Sequence, residues 1–534
     1  MIKEIDPLAS SEGNAAMSMQ DEIIAFLSDP KTHSGGVQEV TRIDTHGAVI
    51  FLAGKFAFKI KRAVKLHYLD YSTLGKREKM CRRELDINRK TAPEIYIEVL
   101  PINRAIDDKL SLGGNGETIE WAIKMRRFSQ NNLLSNIAIS GGLTDHQITQ
   151  MAEMISKYHQ TSPPLAAGNR LNGVQKLEQI ITSLKMSFTG APMELICKFA
   201  ETYHSNLLAT LAQHRDLVLE RERSGYVRRC HGDMHLQNIV FLKGQPRLFD
   251  AIEFDDDIAT IDILYDLAFL LMDLWFHGFK DQTNLLFNEY LRCLDDEQNL
   301  KALAIMPMYI SMRAAIRAMV GIDRMSQICG NQRDDNYAKI ADYLTLAENA
   351  LKTNQPSLIL IGGLSGTGKS TMGRAISSSV PPLPGAVHLR SDVERKTMFD
   401  VAPQIRLPEK CYSEHYSDEV YKILRRKASN ILDAGHSVIV DAVFLSKSHR
   451  AMFEELAEGR SIDLKPIWLK APQDALLTRV EARRNDASDA GGAVVKSQLG
   501  ANSEPKTWID IDAGSEPKTV IDRICKALNI HAVK

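Results

Sequence analysis

Cysteine supplies no framework in this sequence. The seven cysteines, at positions 81, 197, 230, 293, 329, 411 and 525, are scattered without a C-x-x-C pair. That suggests neither a zinc site nor a disulfide scaffold, and it points to a reducing compartment. An excess of one charge is missing too: 66 Lys and Arg face 67 Asp and Glu, a formal net charge of -1. A whole-chain affinity for nucleic acid or membrane is thereby disfavoured, while local basic patches stay open. Long uninterrupted apolar runs are also lacking. The most apolar stretch, 258–279, is broken by Asp262, Asp266 and Asp273, and the next, 306–322, by Arg313 and Arg317, so neither is expected to span a bilayer. The opening twenty residues show no charged-then-apolar signal pattern and no lipidation motif, and the expected setting is cytoplasmic. What remains, 534 residues with 44% hydrophobic and 25% charged, is an ordinary globular composition with length for two large domains or three to four average ones.

The strongest pattern that is present lies at 357–371, SLILIGGLSGTGKST. The spacing Gly363-x4-Gly368-Lys369-Ser370 is that of a phosphate-binding loop between a buried strand, 358–361, and a helix, 369–380. Glycines at 363, 366 and 368 let consecutive backbone N–H groups, those of Ser365 and Thr367 among them, converge on phosphate oxygens. Lys369 adds a point charge, Ser370 can ligate Mg²⁺, and Thr371 follows it into the helix, whose N-terminus adds its dipole.

Some 350 residues precede this loop and carry a second pattern. After a polar start, 21–27 suggests a short helix and 37–43 a strand. VIFLAGKFAFKIKR predicts a hairpin turning at Ala53-Gly54-Lys55, with Lys59 late on its second strand. A charged helix over 76–90 carries Glu84, and strands are expected at 94–101 and 117–128. Read alone, Lys59 is a solvated strand residue and Glu84 a surface charge. Residues 144–222 are mostly helical by period. The chain then reads HGDMHLQNIVFLKGQPRLFDAIEFDD: His231-Gly232-Asp233, then His235 and Asn238, a strand pair turning at 243–246, and Asp250. Phosphoryl transfer to a hydroxyl calls for a carboxylate near the acceptor and oxygen ligands for Mg²⁺, which Asp233, Asn238 and Asp250 supply. Zinc on the alternating His231, Asp233 and His235 is the competing reading, against which Asn238 and Asp250 are hard oxygen donors. Glu253 and 255–257 either give the site negative charge or cap a helix and support a metal ligand from behind.

HGDMHLQNIVF, LFDAIEF and IDILYDLAFLL together resemble the aminoglycoside phosphotransferase and choline-kinase group of the protein-kinase-like fold. The resemblance implies that Asp233 is the catalytic carboxylate, Asn238 and Asp250 the metal ligands, Lys59 the phosphate-contacting lysine and Glu84 its partner. The first hairpin, HGAVIFLAGKF, departs from protein kinases in lacking a G-x-G-x-x-G cover.

Residues 352–356, KTNQP, form the expected boundary. Beyond it strands at 358–361, 387–389, 437–440 and 464–469 alternate with helices at 369–379, 414–434, 449–458 and 473–484, implying a parallel sheet covered on both faces. Asp392 and Arg395 follow the second strand, where such sheets bind ligands. Asp392 can take an acceptor proton or cap a helix, and Arg395 can hold an anionic part of the acceptor. Asp441 ends the third strand as a Mg²⁺-side carboxylate or a turn residue. Arg479 and Arg483 share a helix face that closes over phosphates or stands exposed. GGLSGTGKST, RSDVERK, VIVDAVF and RVEARRNDASDA resemble the P-loop kinase group of small-molecule kinases, polynucleotide 5′-kinases and zeta-type toxins. That resemblance implies Lys369 and Ser370 as nucleotide and metal contacts, Asp392 as base, Arg395 as acceptor anchor, and Arg479 with Arg483 as lid.

The expectation is a two-lobed α+β protein-kinase-like domain, residues 1–350, followed by an α/β P-loop domain with a parallel sheet, residues 356–534. Each would use ATP and Mg²⁺ on an unidentified small-molecule acceptor. One catalytic domain with a nucleotide sensor, a nucleic-acid 5′-end kinase and a sugar-nucleotide kinase are the alternatives.

Overall fold

The computed structural model describes residues 11–45, 47–66, 69–165, 171–191, 194–325, 330–482, 487–500 and 504–530. Contact density separates the chain into two compact units. One comprises Met1–Gln150, Lys157–Gly168 and Gly225–Asp266; the other comprises Met151–Ser156, Asn169–Ser224 and Leu267–Lys534. This is a division by packing. The expected boundary at 352–356 concerns instead which segment carries which chemistry.

The first unit is built on a six-stranded antiparallel sheet. Its strands run in the order Val40–Asp44, Ala48–Ala53, Phe56–Lys61, Glu117–Arg126, Tyr96–Arg104 and Leu110–Leu112. Side-chain alternation divides its two faces. Val49, Phe51, Phe58 and Ile60 pack with Ile23 and Leu27 of helix Ser11–Ser28. Ala57, Ile123 and Met125 pack with Cys81 and Leu85 of helix Leu74–Asn88, which starts at an N-cap, Thr73. Lys59 stands on this second face, opposite Ile50 in register. The expected strand pair after Asn238 is Ile239–Leu242 with Gln245–Leu248, turned at Lys243 and Gly244, both with positive φ.

In the second unit five strands are all parallel, in the order Val387–Arg390, Val438–Asp441, Ser357–Gly363, Asp463–Lys470 and Ile509–Asp512. The first strand in sequence therefore lies between its neighbours at the switch point, where loops part to admit a ligand. Ile359, Ile361, Ile439 and Ile467 of the sheet bury against Met372 and Ile376 of helix Lys369–Ser377 and Ile524 of helix Pro517–Leu528. The edge strand Val387–Arg390 is covered from helix Lys280–Leu294: the Asn284 amide donates to the carbonyls of Pro384 and Ala386, and Asn288 Oδ1 accepts the His388 N–H at 2.7 Å. Edge groups that would otherwise be open to pairing are thereby used. One stretch, Glu297–Arg324, is long and apolar enough to cross a membrane by length and composition alone, and 67% of its most apolar window is buried inside the fold.

Candidate active sites

In the first unit, three stretches of sequence meet at Lys59. Its Nζ donates to Glu84 Oε1 at 2.8 Å and to Asp250 Oδ1 at 2.6 Å, although these partners are 25 and 191 residues away in sequence. Burial opposes the ammonium charge, but Asp250 and Glu84 overcome it and raise the Lys59 pKa well above its usual value. Reciprocally, burial opposes the Asp250 carboxylate, Lys59 outweighs it, and the Asp250 pKa is lowered; the charge of Asp233 also reaches Asp250. The Asn238 amide donates to the Asp233 carbonyl at 2.9 Å and to its Oδ2 at 3.0 Å. Asp233, Asn238 and Asp250 are thus drawn together, with the side chains of Asp233 and Asp250 about two fifths exposed, at 41% and 43%. These are hard oxygen donors in a partly open setting, a donor set that suits Mg²⁺.

Local chemistry explains this placement. Asp250 holds a φ of 60°, a left-handed conformation that aspartate adopts more readily than most residues. Its N–H donates to the Tyr96 hydroxyl at 3.1 Å, and the next N–H, of Ala251, to Asn88 Oδ1 at 2.9 Å. Glu84 and Asn88 are one helical turn apart, so a single helix face holds both Lys59 and the Asp250 segment. The zinc reading fails on hydrogen bonding. His231 is buried, which lowers its pKa, its Nε2 lies 2.9 Å from the Phe249 carbonyl, and its Nδ1 accepts the Asp233 N–H. The capping reading applies to Asp255, which accepts from the N–H groups of Asp257 and Ile258, whereas Glu253 is paired with Lys61.

The second unit presents the glycine-rich loop as a cradle with no room for side chains at two of its turns. Gly363, Gly366 and Gly368 have φ of 141°, 92° and 87°. A Cβ on Gly363 would meet the Leu469 carbonyl oxygen at 2.7 Å, and one on Gly366 that of Leu476, also at 2.7 Å. Thr367 Oγ1 donates to the Leu364 carbonyl at 2.8 Å and Lys369 Nζ to the same oxygen at 3.1 Å. Ser370 Oγ donates to Asp441 Oδ2 at 2.5 Å, and Thr371 lies exposed in the first turn of the helix. Asp441 ends its strand in register with Ile361 and Arg390. Burial opposes its charge, yet the His388 ring, with Nε2 3.7 Å from Asp441 Oδ2, and the charges of Lys369 and Arg390 hold its pKa down at about 2.

Asp392 sits in the first turn of helix Ser391–Met398, whose N-cap is Arg390 with no capping side-chain bond, so the capping role weighed for Asp392 is not what the helix uses. Burial and the charge of Asp441 raise the Asp392 pKa, against a hydrogen bond from Ser488 and the charge of Lys369. An upward shift is what a general base needs near neutrality. Arg395 is held by its own fold. Nη1 donates to the Cys411 carbonyl at 2.8 Å, Nη2 to Ser417 Oγ at 3.3 Å, and the guanidinium lies 4.9 Å from the Tyr412 ring centroid. Arg479 donates to the Ala513 carbonyl at 2.9 Å, from a helix whose Leu476 and Val480 pack against Gly366. Arg483 lies outside the described residues.

Three participants escaped the sequence reading. Lys61, two residues past Lys59 and therefore on the same face, also reaches Glu84; period-two spacing was the available signal. Gln498 accepts the Ser365 N–H at 2.8 Å from a helix with no motif of its own. Asp489 accepts from Lys396 Nζ, the Leu407 N–H and the Tyr412 hydroxyl, joining the segment after helix Gln473–Ala482 to 405–412.

Comparison with known proteins places family labels on these segments. Residues 138–303 match the family described as "Phosphotransferase enzyme family" and residues 358–505 one described as "AAA domain". The first match contains Asp233, Asn238 and Asp250 but begins downstream of Lys59 and Glu84. An uncharacterized protein of Mycobacterium tuberculosis (strain ATCC 25618 / H37Rv) is 28% identical over 498 residues, 88% of this chain and 91% of that protein. One from Mycobacterium bovis (strain ATCC BAA-935 / AF2122/97) aligns with the same figures of 28%, 88% and 91%. Among solved structures, a choline/ethanolamine kinase family protein from Mesorhizobium loti is similar over 63% of this chain and 95% of its own, at 16% identity and a TM-score of 0.40. A gluconokinase from Sinorhizobium meliloti 1021 is similar over 33% and 94%, at 18% identity and a TM-score of 0.26.

Proposed function

We infer, from a chain that joins a phosphotransferase-family segment to a P-loop segment, an ATP-dependent kinase with two nucleotide sites, each passing a γ-phosphate to a hydroxyl of a small-molecule acceptor. The observation that carries this reading is the meeting of Lys59, Glu84 and Asp250 beside Asp233 and Asn238, at distances of 2.6 to 3.0 Å, in a segment distinct from the glycine-rich loop. In the first site Asp233 orients the acceptor hydroxyl and takes up its proton, Lys59 steadies the phosphates, and Asn238 and Asp250 are the cation's ligands. In the second, the loop N–H groups and Lys369 hold the phosphates, Ser370 and Asp441 face the cation, and Asp392 is the base. Mg²⁺, when bound, neutralises phosphate charge; the side chains contribute position and preorganised electrostatics.

The test is a metabolite library screened with γ-labelled ATP, comparing the native chain with Asp233→Ala and Lys369→Ala. Two label-transfer activities, each lost in one variant, are expected. Loss of all turnover in one variant and none in the other would replace the dual kinase with a single catalytic site and a nucleotide sensor.

A further inference from the structure

Lys59 and Lys61 project from the same face of one strand and grip the same carboxylate, Lys59 at Glu84 Oε1 and Lys61 at Glu84 Oε2. Each lysine also holds a second carboxylate: Asp250 for Lys59, Glu253 for Lys61. The Tyr71 hydroxyl donates to Glu253 at 2.6 Å. Glu84 is fully buried, and the side chains of Lys61 and Glu253 are only 3% and 7% exposed. The result is a ladder of alternating charge, Asp250, Lys59, Glu84, Lys61 and Glu253, whose two ends are three residues apart in sequence.

The segment between those ends belongs to no strand or helix. Its backbone is held from Tyr96, from Asn88 and by the Ile252 N–H on the His231 carbonyl at 3.0 Å. Once Lys59 turns a donor to phosphate and Asp250 an oxygen to a cation, their 2.6 Å contact is weakened by the competing partners. A second hold on Glu84 and on the Asp250 segment is then needed.

We propose that Lys61 and Glu253 form a positioning pair that fixes Glu84 and the Asp250 segment, leaving Lys59 able to exchange Asp250 for nucleotide phosphate. This rests on the kinase reading of the first site. Without Lys61, Lys59 is the one ammonium among three carboxylates. It is drawn toward buried Glu84, and Glu253 keeps only Tyr71. Lys61 touches no substrate in this arrangement; it acts through Glu84 and the chain at Asp250.

The experiment uses the full chain carrying Lys369→Ala to silence the P-loop site, and measures binding of a non-hydrolysable ATP analogue by calorimetry across a Mg²⁺ titration. Lys61→Met is expected to weaken binding by about 10- to 100-fold and to raise the Mg²⁺ requirement, the usual range for a residue behind a metal ligand. Lys61→Arg, which keeps the cation, recovers most of it. The double variant Lys61→Met/Glu253→Gln removes both charges, so that no unpaired buried ion threatens the fold; it is expected to show the same loss. Binding by the double variant within twofold of its parent, while Asp250→Asn loses binding, would overturn the positioning role. So would loss of thermal stability in Lys61→Met with an unchanged Mg²⁺ dependence. A parent that binds no nucleotide, or whose binding Asp250→Asn leaves unmoved, would overturn the kinase reading of this site and the pair's role with it.

Discussion

His159 Nε2 lies 3.1 Å from Asp266 Oδ2, and neither side chain is exposed. The same carboxylate accepts the backbone N–H of His231 at 3.1 Å and of Gly232 at 2.9 Å, so one buried aspartate fixes the turn that presents Asp233. Cys230 completes a group whose ligand atoms lie within 4.8 Å of one another. With both Asp266 oxygens already engaged, we read that group as a hydrogen-bonded joint. Asp266→Ala leaves buried donors unpaired, each at about 1–3 kcal/mol, and is expected to destabilise the unit by roughly 3 kcal/mol or more in urea unfolding. Asp266→Asn, with one oxygen left to accept, should fall between the two.

Lys59 gives a prediction on rate and on pH. Removing its ammonium in Lys59→Met should lower the Asp233-dependent activity by roughly 10²-fold or more, the scale for losing a preorganised charge on a transferring phosphoryl group, and leave the Lys369-dependent activity intact. Because its folded pKa is raised, its ion pairs contribute fully below the ordinary lysine pKa and are lost only as pH rises through the still higher folded value. Native activity should therefore show no basic decline assignable to Lys59 between pH 7 and pH 10.

The phosphate loop offers an internal comparison. Gly366 and Gly368 share a positive φ, of 92° and 87°, but an added Cβ strikes a backbone carbonyl at the first and meets nothing within 4 Å at the second. Gly368→Ala should cost only the left-handed backbone penalty, about 1–2 kcal/mol. Gly366→Ala must also displace the chain at Leu476 and should lower the thermal midpoint further. Equal midpoints would mean that the helix carrying Leu476 yields freely.

How much was legible follows from how local each interaction is. The phosphate loop and the stretch from Asp233 to Asp250 announce themselves because glycine spacing, strand and helix are contiguous. Lys59 and Glu84 needed a family resemblance, since nothing near either names the other. Lys61 went unremarked because its partner Glu253 lies 192 residues away. The edge strand Ile509–Asp512 was missed because IDID sits on a sheet margin, with only Ile511 buried among its four residues. Helix Ser11–Ser28 was seen only as 21–27, where the apolar residues are. Arg395 shows the opposite limit: its type suits an anion, but sequence does not reveal that Cys411, Ser417 and Tyr412 already hold the guanidinium.

Asp441 supplies the acid-side prediction. Its folded pKa, about 2, lies below its ordinary value of 3.8, and a depressed carboxyl stabilises the fold above its unfolded pKa and ceases to do so as pH falls through the folded one. The difference corresponds to about 2 kcal/mol. Asp441→Asn keeps the shape and cannot ionise. The stability gap between native chain and variant should therefore be constant from pH 7 to about 5 and narrow from there toward pH 2. Chemical unfolding at closely spaced pH values measures it directly. A gap that instead widened below pH 5 would mean that Asp441 is protonated more easily in the fold than out of it. In that case His388, Lys369 and Arg390 would not be stabilising the charge that Ser370 faces.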